Sequence, residues 1–305
     1  SVAVILPLGF MRNMVQSNSI ADAFQQAFQI PTWVVGVVVA LLGAFVFLGG
    51  VKRIASVTEK IVPLMAVLYI TGSFVVLVAN FQNLGNAFSQ IFVQAFHPQA
   101  VAGGVAGITI KEAIRYGVAR GLFSNEAGMG STPHAHALAK VKHPCEQGIV
   151  AMIGVFFDTF VVLTLTALVI LSTGALSTGT TGTQLAQNAF NSFFSSFGNI
   201  FIAVCMFFFA FSTIVGWYFF GESNFRYLFG KKSKWVYSLL VVVFIVLGSL
   251  AKVDLVWALT DMFNGMMVIP NLIGVLALSG VVVKLSKAYE SESERLRSHH
   301  PKGND

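Results

Sequence analysis

The chain has 305 residues, of which 55% are hydrophobic and only 10% charged, and its mean hydropathy is +0.76. A water-exposed surface needs more polar groups than that, so a soluble globular enzyme of this size is excluded. The net charge of +6 comes from basic residues in short loops between apolar runs, a pattern of membrane orientation rather than nucleic-acid binding.

Apolar runs of about 20 residues, the length that spans a hydrocarbon core, recur along the chain. Alternation with period two is missing, so the fold class expected is an all-α polytopic membrane protein. Eight crossings are predicted. The first covers about Ser1 to Phe28, and "QIP" separates it from the second, Thr32 to Gly50. The third is Glu59 to Asn80, followed by a connection, Phe81 to Gly107, with an amphipathic piece around "LGNAFSQIFVQAF". The fourth, Thr109 to Ala139, contains "GLFSNEAGMGSTPHAHA"; the fifth is Gly148 to Leu171. "QLAQNAFNSFF" reads as a short interfacial helix. The sixth to eighth crossings are Gly198 to Leu228, Val236 to Leu250 and Leu255 to Leu285. Residues 1–286 thus form a transmembrane domain, and 287–305 a polar, disordered cytoplasmic tail. The start at Ser1, inside a hydrophobic run, reads as a truncation.

Loop charge orients the bundle. Lys52, Arg53 and Lys60 follow the second segment, Lys140 and Lys142 the fourth, Arg226, Lys231, Lys232 and Lys234 the sixth, and Lys284 and Lys287 end the eighth. No charged residue occurs from Ile61 to Ile110 or from Thr159 to Gly221. The positive-inside rule then puts both chain ends in the cytoplasm and the protein in the cell membrane.

The fourth segment carries the chemistry. Gly128, Gly130 and Pro133 interrupt a helix at membrane depth, where unwound backbone survives only if buried in protein or lining a polar cavity. Transporters use such breaks to hold substrates and cations. An ordinary helix end with Ser131 as N-cap is the plainer reading. Glu126 favours function, because a membrane carboxylate is costly and needs a partner, for which Arg120 is the candidate. His134 and His136 lack zinc spacing, the Gly–Lys–Ser/Thr phosphate loop is missing, and no nucleophile–base pattern marks an enzyme. No cofactor is expected. Cys145 and Cys205 suggest neither a disulfide framework nor a metal site.

"RYGVARGLFSNEAGMGSTPHAHALAKVKHPCEQG" resembles the signature of the alanine/glycine:cation symporter family, sodium-coupled carriers of small neutral amino acids. "NMVQSNSIADAF", "GGVKRIASVTEKIVPLMAVLYI", "GVFFDTF", "AFSTIVGWYFFGE" and "VDLVWALTDMFNGMMVIPNLI" agree with it, so the similarity covers nearly the whole chain except the tail. The resemblance implies a LeuT-like inverted-repeat fold, of which this chain would hold core helices three to ten. It also implies inward symport of alanine or glycine with sodium by alternating access; a proton-coupled carrier or a non-transporting sensor is the alternative. Carried over residue by residue, it points to Asn13, Gln16, Phe123, Ser124, Asn125, Gly128, Thr213 and Trp217 for the substrate. Ser212 and Thr213 would supply hydroxyl oxygens to sodium. Asp158 and Asp261 are expected in networks or gates, and Glu222 near the inner surface with Arg226 one turn on. Arg12 departs from the family, which commonly has a small residue there, and needs a counter-charge or a water path.

Overall fold

The computed structural model describes residues 1–96 and 110–299. The second half of the expected Phe81–Gly107 connection and the last six residues of the tail lie outside the described residues. Those described are mostly helical, with no strand among them.

Helix α1 spans residues 2–28 and contains a π-helical turn, Ile5–Met11, around Pro7 and Gly9. The Arg12 N–H reaches back to the Pro7 carbonyl, five residues away, which shifts the helix register at Arg12. The helix stops at Gln29, which is left-handed (φ 57°), just before Pro31, as "QIP" suggests. Helix α2 (Thr32–Leu48) follows, and α3 (Gly50–Ala79) begins after a turn at Gly49 and Gly50. The expected start of the third segment at Glu59 is therefore nine residues late. An apolar run marks the part of a helix inside the membrane, whereas Lys52, Arg53 and Lys60 are good helix formers that continue it into water. The Arg53 guanidinium ties this turn by donating to the Phe45 carbonyl at 2.7 Å.

Helix α4 (Phe81–Phe96) is the amphipathic piece, and α5 (Ile110–Asn125) leads into the break. One helical turn, α6 (Pro133–His136), follows it. Helix α7 (Pro144–Ser172) starts on a His143 cap that accepts from the Cys145 N–H and has its own π-turn, Phe157–Leu163. Helix α8 (Gly182–Phe194) is the short amphipathic helix expected from its sequence. Helices α9 (Phe197–Phe229) and α10 (Lys234–Leu250) match their expected spans within two residues. Helix α11 runs from Val253 to His299, so residues 287–299, expected to be disordered, are helical. "SESERLRSH" contains neither glycine nor proline and is rich in Glu and Arg, so nothing in it interrupts the helix.

Among the described residues, five helices are long and apolar enough to cross a membrane: α3, α7, α9, α10 with its preceding turn, and α11. This is a multi-pass membrane protein. The count falls short of the eight expected segments because α2 has 17 residues, α1 is polar from Arg12 onward, and the fourth segment is divided.

The core centres on α1, packed against α2, α9 and α10 through Ile20, Phe47, Val39, Ile214, Tyr218, Tyr237 and Ile245. Phe47 and Tyr218 stack at 3.8 Å. Contact with α10 is close because Gly248 has no side chain; a Cβ there would sit 2.5 Å from the Met14 Cα. Ser17 donates to the Ile245 carbonyl at 2.6 Å, and Asn18 donates to the Gly248 and Ala251 carbonyls. A second core gathers α3, α4, α7, α8 and α9 around Phe190 and Val169. Helices α7 and α11 leave most of their apolar surface outward.

Candidate functional site

The break begins where α5 ends. Glu126 takes a left-handed backbone (φ 55°), which a residue with a side chain rarely adopts, and Gly128 (φ 78°) and Gly130 (φ 90°) complete the turn. The Asn125 side-chain oxygen accepts from the Ala127 N–H at 3.0 Å, and Asn271 of α11 donates to the Gly128 carbonyl at 2.7 Å. Gly130 is needed twice over: besides its φ, a Cβ would meet Asn271 at 2.9 Å. Pro133 then restarts the helix at a position that has no use for an N–H.

The strained turn carries the Glu126 carboxylate into the interior, where it is 6% exposed. Three groups from three places donate to it: the Arg12 guanidinium, the Ser131 hydroxyl and the Trp217 indole N–H. Ser131 is therefore a ligand of the carboxylate and not the cap of α6, whose N-cap is Thr132. Arg12 is fully buried. Its Nε donates to Asn264 of α11 at 2.7 Å, one terminal nitrogen to Glu126 and the other to the Met129 sulfur at 3.1 Å. Its flat face lies 4.6 Å from the Phe123 ring centre and 5.0 Å from that of Trp217. Guanidinium edges prefer hydrogen bonds and its faces prefer aromatic rings, and this pocket supplies both.

A second ion pair lies beside the first. Arg120 holds Asp261 with two bonds, at 2.7 and 3.0 Å, and covers the Trp257 ring at 4.1 Å. Trp257 in turn packs on Phe123, ring centres 5.1 Å apart. This corrects the expected partner of Glu126, which is Arg12 and not Arg120. Arg120 lies within α5, whereas Glu126 lies just past its end with a left-handed backbone, so the helix geometry that would align them is lost between the two.

A model of the family described as "Sodium:alanine symporter family" matches residues 1–302. The chain belongs to that family. The symporter-family chain is 43% identical over 281 residues to the sodium/alanine symporter AgcS of Methanococcus maripaludis, covering 91% of this chain and 61% of that protein. It is 40% identical to the amino-acid carrier protein AlsT of Bacillus subtilis, covering 97% and 63%. It is 38% identical to the sodium/proton-dependent alanine carrier protein of Bacillus sp. strain PS3, covering 95% and 68%. It spans about three-fifths to two-thirds of the length of these relatives.

Of the residues singled out in this symporter-family sequence, Phe123 and Trp217 meet edge to face at 5.7 Å, around Arg12. Asn13, next to Arg12 in sequence, is fully buried and donates to the Gly9 carbonyl at 3.0 Å, and its side-chain oxygen has no partner among the described residues. Gln16, one turn on, is half-buried. Ser124 and Asn125 face α7 instead, donating to Asp158 at 2.7 Å and to Thr159 at 3.0 Å. Gly128 offers its carbonyl to α11. Ser212 and Thr213 sit one turn before Trp217, and both hydroxyls donate to the Phe209 carbonyl, at 3.0 and 2.7 Å. Glu222 and Arg226 pair at 3.3 Å across one turn of α9. His134 accepts from Asn224 at 2.7 Å and bonds the Ser131 carbonyl at 2.8 Å, while His136 meets Gln147.

Asn264, Asn271 and Met129 were missed by sequence reasoning. Two asparagines seven residues apart on the apolar α11 share a helix face, and that spacing was the available signal.

Proposed function

We propose that this chain forms part of a secondary active symporter that moves a small neutral amino acid, alanine or glycine, together with sodium into the cell by alternating access. The observation that carries the reading is the glycine-broken helix, fastened to a buried Arg12–Glu126–Trp217 cluster in a multi-pass bundle. Family membership and relatives named for alanine support it. The fold in this reading is LeuT-like, with eight crossings, core helices three to ten, and both ends of residues 1–305 cytoplasmic. The contrast between Lys/Arg-rich and charge-free loops supports that orientation.

In this mechanism the substrate lies against the break. Asn13 and Gln16 contact its polar end, Phe123 and Trp217 limit its side chain, and Ser124, Asn125 and Gly128 line the unwound backbone. Ser212 and Thr213 fit sodium chemically: their protons are spent on Phe209, which leaves oxygen lone pairs, the donors that a hard cation prefers. Sodium here is cargo; the residues orient it and gain affinity for it when the substrate is bound.

Proton coupling is the second reading, and a relative named as sodium/proton-dependent favours it. Proteoliposomes separate the two. Saturable alanine uptake driven by an imposed sodium gradient supports the first, and uptake driven by a pH gradient without sodium supports the second. Uptake indifferent to every ion gradient sinks coupling altogether.

A further inference from the structure

A cavity lies away from the Arg12–Glu126 cluster. Its volume is about 630 Å³, and it opens among α1, α3, α7, α8, α9 and the start of α11. Trp257 separates the two: one side of this residue lines the cavity, and its ring packs on Phe123. None of Asn13, Gln16, Phe123, Ser124, Asn125, Gly128, Thr213 or Trp217 lines it.

Two carboxylates line this cavity, Asp22 and Asp254, and among the described residues no Lys, Arg or His does. Asp22 is half-buried, and its described partner is the neutral amide of Gln184 at 3.0 Å, so its charge is not neutralised by an ion pair. Asn18, Thr166 and Tyr69 in the wall have committed their protons elsewhere. Asn18 spends both amide hydrogens on the Gly248 and Ala251 carbonyls. Thr166 donates to the Val162 carbonyl at 2.8 Å, and Tyr69 and Thr166 meet at 2.6 Å, which leaves Tyr69 as the donor of that bond. What these side chains can still offer a guest is oxygen lone pairs. The remaining wall is apolar, with Phe209, Met206, Ile202 and Trp257 among its members.

From these facts we infer that the cavity binds an organic ammonium ion: a primary amine on the Asp22 side, with an apolar body against Phe209 and Trp257. An ammonium group brings three N–H donors and a positive charge to a wall rich in acceptors and negative charge. The volume decides between an organic ligand and a bare cation, since sites of about 300–1,000 Å³ suit small molecules and a lone ion would leave the apolar wall unused. This goes beyond the symport reading, and because it is measured as binding, its failure leaves that reading untouched.

The test uses the full chain in nanodiscs in sodium-free buffer, titrated calorimetrically with phenethylamine, 2-phenylethanol and 3-phenylpropanoate. Phenethylamine is expected to bind about tenfold or more tightly than the alcohol, the size of one hydrogen bond to a charged group, with the carboxylate weakest. Asp22→Asn keeps the contact with Gln184 and removes the charge, so it should abolish the preference for the amine while alcohol binding, a check on folding, persists. Ala186→Phe fills the cavity and should remove binding of both. Equal affinity for amine and alcohol in the native chain overturns the inference, as does an amine preference that survives Asp22→Asn. Amine binding that survives Ala186→Phe places the ligand elsewhere and overturns it too. Displacement by millimolar sodium with the same Asp22 dependence makes this a bare-cation site and overturns the organic ligand.

Discussion

Arg12 and Glu126 are 114 residues apart in sequence and joined in the buried interior, one on the helix that carries a π-turn and the other on the broken one. Each answers a need of the other. An arginine with no exposed surface requires a counter-charge, and a glutamate in the left-handed region requires something to hold it there.

Breaking this pair from one side should therefore be expensive. Glu126→Gln leaves a buried guanidinium without its anion and is expected to destabilise the protein by about 3–5 kcal/mol. The double variant Arg12→Met/Glu126→Gln should recover most of that loss. A double-mutant cycle on unfolding in detergent measures the coupling, and strictly additive effects would show that the two charges do not depend on each other.

The second ion pair should behave differently. Arg120 and Asp261 are each about one-third exposed (side chains 36% and 31%). Solvent screens such a pair, so Asp261→Asn is expected to cost about 1 kcal/mol or less. A thermal shift for Asp261→Asn as large as that for Glu126→Gln would contradict this ranking.

At the break, the two glycines should not be equivalent. Gly128→Ala meets no atom within 4 Å and incurs only the strain of its positive φ, whereas Gly130→Ala also strikes Asn271. The expected costs are about 1 kcal/mol for the first and clearly more for the second. Adding Asn271→Ala should relieve part of the Gly130→Ala penalty; chemical denaturation of the four proteins checks the order.

Gln16→Ala and Asn125→Ala are each expected to lower alanine uptake by about tenfold, the effect of one lost polar contact in a binding site. Normal uptake by either variant, at unchanged expression, removes that residue from the site.

Sodium dependence gives a separate readout. Thr213→Val keeps the shape and removes the oxygen, so half-saturation by sodium should rise about tenfold while uptake at saturating sodium changes little. An unaltered sodium curve would leave Thr213 with only its bond to the Phe209 carbonyl.

Much of this protein was legible in sequence because the signals are local. Apolar length, the QIP stop and the Gly/Pro cluster announced helices, a boundary and a break, since each depends on backbone preferences of neighbouring residues. Amphipathic α4 and α8 were legible for the same reason. Helix ends failed where charged residues continued a helix beyond its apolar part, at the start of α3 and past the expected end of the last segment at Leu285. Arg12 was marked as needing a partner, but the near neighbour Arg120 was chosen for Glu126, because sequence distance is the only distance a sequence displays.

The sequence by itself determined that this is a helical membrane protein with one glycine-broken segment, and it carried enough family signature for the class to be read. Only the tertiary structure decided which charges meet: Arg12 with Glu126, Arg120 with Asp261, and Asn264 and Asn271 as the supports from α11. The physical reason is that a helix break is set by local backbone energetics, whereas the partner of a buried charge is set by how distant helices pack, and packing is a property of the whole bundle.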